Sequence, residues 1–157
     1  MTLYAIRQPP WAESLEDVDV EVASESECGW DFLYQAISLW RLVDRARAQQ
    51  IETIKDRVVQ AAGEKEIRIG GEDLRELVRL LSGVEEAIVA AGIVDSHWRV
   101  PPERLEELAK QVPAMDLKTD RPLANKTSAL GEIMINAFSI RNFFENAANA
   151  GCIVVLA

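Results

Sequence analysis

The chain holds one histidine, His97, and two cysteines, Cys28 and Cys152. No CxxC pair occurs and the cysteines lie 124 positions apart, so neither a zinc site nor a disulfide framework is implied; both are expected as buried free thiols. Long apolar runs are missing as well. The longest one free of glycine is CIVVLA, residues 152 to 157, far short of the roughly 20 residues that span a bilayer. The opening MTLYAIRQPP has no basic stretch leading into a long apolar one, as a secretory signal requires. These absences lead us to expect a cytoplasmic protein with no membrane partner. Minimal catalytic and ligand motifs are also lacking: no ExxH, HExxH, DxDxDG, GxGxxG or GxxxxGK pattern occurs, so no cofactor and no metal are expected.

What is present describes one ordinary domain. The 157 residues are 48% apolar and 27% charged, which suits a globular chain able to bury roughly 70% of the surface it would expose unfolded. With no repeat, low-complexity tract or linker to divide it, we read 1–157 as a single domain with an acidic amino-terminal segment, 11–31, packed on a helical body.

The distribution of charge is more informative than its total. Residues 1–31 carry eight acidic groups against Arg7 alone, a net of −7, whereas residues 32–157 carry 18 acidic and 16 basic groups. Such a field repels nucleic-acid phosphates and anionic lipid and draws in basic surfaces. No nucleic-acid partner is expected, and a basic protein partner is. The plain alternative is that the acidity only keeps the domain soluble.

Within this segment Val18, Val20 and Val22 alternate with Asp17, Asp19 and Glu21, a period of two that predicts a half-buried strand with an acidic outer face. The same carboxylates would also discourage edge-to-edge pairing between copies. TLYAIR, ahead of Pro9 and Pro10, predicts an earlier strand.

Ser24 and Glu27 fit a capping box, predicting a helix that carries Trp30, Leu33, Ile37 and Trp40 on its buried face. No Gly or Pro occurs between Gly29 and Gly63, so 30–62 is expected as one long helix or two collinear ones, with any kink between Arg47 and Gln50. EIRIGG at 66–71 predicts a short strand turning into a helix. Leu74, Leu77, Val78 and Leu81 supply that helix's inner face, a second SGVE capping box at 82–85 opens another helix, and Gly92 ends it. Pro101 and Pro102 suit a helical first turn with Leu105, Leu108, Ala109 and Val112 inward, and 113–126 is expected as a loop. A final helix is expected over about 128–150, and the doubly apolar CIVVLA predicts a central strand or one that pairs at a subunit boundary. The class is therefore α+β: a predominantly helical domain of five to six helices with a small sheet from the amino-terminal, 66–70 and carboxy-terminal strands. An all-α bundle is the alternative.

No catalytic residue is assigned. His97 stands beside Asp95 and Ser96, but neighbours on one extended segment point in different directions, which argues against a triad. The adjacent carboxylates also have structural explanations. Glu106 and Glu107 have Arg104 and Lys110 at helical spacing, and Glu85 and Glu86 suit a helix's first turn.

The partner-binding residues expected are Trp11, Glu13, Glu16, Asp17, Asp19, Glu21, Glu25, Glu27 and Trp30: tryptophans supply contact area and carboxylates steer. Ser139, Asn142, Asn146 and Asn149, at helical spacing, form a second polar face. Three function classes follow: a non-enzymatic module that binds a basic partner to inhibit or regulate it, as an immunity protein or antitoxin does; a self-associating assembly subunit, such as a homodimer; and an enzyme with an unfamiliar site.

Overall fold

A run of β-branched and aromatic residues next to the opening methionine makes strand β1, Thr2–Ile6, and alternation buries Leu3 and Ala5 against the helices. This is a computed structural model, and it describes residues 1–7, 18–99, 101–104, 107, 110 and 126–157, the side chains of 126–129 excepted. The elements that follow are a single helical turn α1 (Val20–Ala23), β2 (Ser24–Gly29), α2 (Asp31–Val43), α3 (Arg45–Ala62), β3 (Ile67–Ile69), α4 (Gly71–Leu81), α5 (Val84–Ala90), α6 (Lys126–Asn149) and β4 (Ile153–Leu156). A short 3-10 turn spans Pro102–Arg104. The fold is α+β, predominantly helical, as the sequence predicts.

The sheet is antiparallel throughout, in the order β2-β1-β4-β3. Register places Leu3 opposite both Cys28 and Leu156, and Val154 opposite both Ala5 and Ile69. These six residues form the sheet's contribution to the core, which Leu33, Ile37, Trp40, Ile51, Leu77, Ile140 and Phe144 complete from the helices. CIVVLA thus supplies a strand paired on both sides, and the burial of Val154 and Val155 explains why this run is apolar on both faces.

The segment 18–29 departs from expectation. Val18, Val20 and Val22 do not form a strand: Val18 is buried, but Val22 is 84% exposed on α1. Asp19 explains this, because its Oδ1 accepts from the backbone N–H groups of Glu21 and Val22 at 3.1 and 3.5 Å and so caps a helical turn. Ser24 and Glu27 likewise form no capping box. They lie in β2, with the Ser24 hydroxyl donating back to the Glu21 carbonyl. A ladder with β1 satisfies more backbone groups than one cap does, so the pairing overrides the local signal.

The helical stretch breaks at Asp44, ahead of the expected position. Asp44 is extended (φ −150°, ψ 95°) and its carboxylate accepts from Arg47 N at 3.1 Å, capping α3. The two helices are not collinear, since Arg41 reaches Glu52 at 3.1 Å; eleven residues along one straight helix would separate them by about 16 Å. The break near Ser82 occurs where expected, but by another device: Gly83 in the left-handed region (φ 76°) precedes α5, and the Ser82 hydroxyl donates to the Arg79 carbonyl. Most of the helix expected after Pro102, with Leu105, Leu108, Ala109 and Val112, and the loop expected from 113 lie outside the described residues. No helix among the described residues is long and apolar enough to cross a membrane.

Candidate partner-binding face

Three of the expected acidic residues, Glu21, Glu25 and Glu27, fall on the consecutive elements α1 and β2, and a fourth, Asp19, caps α1. Trp11, Glu13, Glu16 and Asp17 lie outside the described residues. Strand β2 is held firmly. Trp30 N donates to the Met1 carbonyl at 3.2 Å, Cys28 is buried opposite Leu3, and Glu27 stands opposite Tyr4. The register shifts between Ala5 and Ile6, whose partners are Ser26 and Ser24, so Glu25 is the extra residue of a β-bulge. The bulge turns the Glu25 carboxylate toward Cys152 Sγ, 3.5 Å away, and toward Arg7 Nε at 3.6 Å, while Arg7 also donates to the Ala150 carbonyl at 2.9 Å. Burial, then the Glu25 charge, raises the Cys152 thiol above its ordinary range.

The remaining carboxylates of the face are differently placed. Asp19 is committed to the α1 cap, whereas Glu21 and Glu27 are exposed and make no ion pair among the described residues. The described part of the acidic face, residues 19–27, is therefore an ordered surface with one internal cation, Arg7, that the expectation had not used. Trp30 does not belong to it. Trp30 is 5% exposed and packs edge-on against Tyr34 with ring centroids 5.8 Å apart, a core contact. Both cysteines are free and buried.

The second polar face is scattered in its commitments. Ser139 donates to the Ile135 carbonyl, Asn142 accepts from Arg141, and Asn146 and Asn149 are exposed. The amide of this helix that reaches the core is instead the half-buried Asn136, which donates to the buried Gln35 Oε1 at 2.7 Å and joins α6 to α2. Periodicity gave no sign of it, because a single amide inside an apolar stripe carries no pattern.

His97 is exposed. Asp95 Oδ1 accepts the backbone N–H of His97 at 2.8 Å and of Arg99 at 3.0 Å, closing a turn that commits the carboxylate to the backbone. These bonds, that from Arg99 first, hold the Asp95 carboxyl below the usual range. A groove of about 640 Å³ between α3 and α4 is lined by Gln49, Thr53, Arg57, Glu72, Asp73 and Glu76 among others, with Arg57 paired to Asp73 across it. No group of metal-ligating side chains occurs among the described residues. Comparison with protein-family models, with curated proteins and with solved structures finds no match.

Proposed function

We propose that the protein is a non-enzymatic binding module whose acidic amino-terminal face engages a basic protein partner, inhibiting or regulating it in the manner of an immunity protein or antitoxin. The observation that supports this is the placement of Glu21 and Glu27, exposed and without an ion pair among the described residues, on a strand and turn fixed by the β1 ladder and the Asp19 cap, in the part of the chain that holds a net of −7. Fixed carboxylates steer a basic partner and lose no side-chain or loop ordering on the backbone side when it docks.

The test compares capture of proteins from the native host's extract by the wild type and by a variant with Glu21→Gln, Glu25→Gln and Glu27→Gln, with circular dichroism confirming that both are folded. The expected result is a basic protein retained by the wild type, released as salt rises through about 0.15 M where screening shortens to ~8 Å, and not retained by the variant. Equal recovery by both proteins overturns the reading.

A further inference from the structure

Strand β2 lies at the end of the sheet, with β1 on one side and no strand on the other among the described residues. Its hydrogen-bonding phase follows from the Trp30 N–H donated to the Met1 carbonyl: with Leu3 opposite Cys28 and Ala5 opposite Ser26, these residues are the ones that exchange bonds with β1. In an antiparallel ladder the intervening residues turn their N–H and C=O groups the other way, so those of Glu27 and Gly29 face the open edge. The bulge at Glu25 marks the limit of this regular edge.

Charge decides what can occupy the edge. A second copy pairing antiparallel through β2 would set Glu27 opposite or diagonal to the same carboxylate of the other copy, and like charges so placed across a ladder destabilise it. Arg7 offsets Glu25 alone. An extended segment bearing Lys or Arg at alternate positions meets Glu27 with opposite sign and satisfies the outward backbone groups at the same time. We propose that β2 receives an extended basic segment of the partner by strand addition, so that the main chain of Glu27 and Gly29 supplies the bonds and the surrounding carboxylates supply the selectivity. This rests on the acidic-face reading above and specifies how that face is used.

The experiment uses the full chain, labelled with nitrogen-15, and two synthetic hexapeptides of alternating Lys and Val at low ionic strength. One is unmodified; the other has every backbone amide N-methylated, which keeps its charge and removes its donors. The unmodified peptide is expected to shift the Glu27 and Gly29 amide signals, to slow their hydrogen exchange, and to bind about tenfold or more tightly than the methylated one, the worth of one or two backbone bonds. Equal binding of both peptides without protection of those two amides overturns strand addition and leaves attraction by charge standing. Binding of neither overturns both, the edge carboxylates then serving only to keep copies apart.

Discussion

Cys28 points from β2 into the helical layer, and burial is the first cause that moves its thiol from an ordinary value of 9.0 up to about 11, against the opposing pull of the neighbouring Gly29 backbone and with the Asp31 carboxylate adding to the shift. The neutral thiol is thus the form the fold favours. Well below pH 9 the group is neutral in both states and does not affect stability. Between about 9 and 11 the unfolded chain gives up its proton while the folded one keeps it, so stability falls as pH rises. Urea unfolding at intervals from pH 8 to 11 checks this. Wild type is expected to lose of order 1 kcal/mol more across that range than Cys28→Ala, because only the slope difference reports the thiol. Parallel slopes would show that the folded thiol ionises normally. The absolute stability of the variant does not enter the comparison, which separates titration from the cavity the substitution leaves.

The contact between α2 and α6 holds the one interhelical amide pair described, with Gln35 2% exposed and its Oε1 accepting from Asn136. Asn136→Ala would leave that oxygen buried without its donor, at about 1–3 kcal/mol measured by denaturant midpoint, whereas Gln35→Leu with Asn136→Leu is expected to recover most of the loss. A double variant as unstable as the single one would show that shape, not the hydrogen bond, sets the contact. The same pair shows where sequence reasoning reaches. Elements whose local signals agree with their packing were legible: β3 with its two glycines, the division of α4 from α5, the long α6 and the apolar β4. Residues 18–29 were not, because alternating valines and a Ser-to-Glu spacing compete there with a ladder offered by β1, and partners far apart in sequence leave no local trace. Asp44 was legible in principle, since an aspartate ahead of a helix-forming run is a cap signal, but the apolar period on either side outweighed it. At the acidic face, the charge was readable and its ordered support was too, though as the wrong element; Arg7 beside Glu25 and the inward Trp30 follow only from the tertiary arrangement.

Across the whole molecule, the sheet is closed by residues nearly the length of the chain apart: Thr2 and Ala157 exchange two backbone hydrogen bonds of 3.1 Å, and β4 lies between β1 and β3. The acidic edge is therefore held in place by the far end of the sequence. Without β4, the β2–β1 pair would be a two-stranded ribbon, marginal in water, and β3 would have no neighbour. Val154, Val155 and Leu156 are each at most 5% exposed, and at about 1.5–3 kcal/mol per buried side chain their loss approaches the roughly 5–15 kcal/mol that a domain has in all. Deleting residues 153–157 is accordingly expected to abolish the cooperative urea transition and the near-ultraviolet circular dichroism of the buried Trp30 and Trp40, while part of the helical signal persists. The Glu27 and Gly29 amides should lose any distinct hydrogen-exchange behaviour in the same variant. A truncated chain that still unfolds cooperatively, within about 1 kcal/mol of the full one, would mean that the helices alone carry the fold and that the edge does not depend on β4.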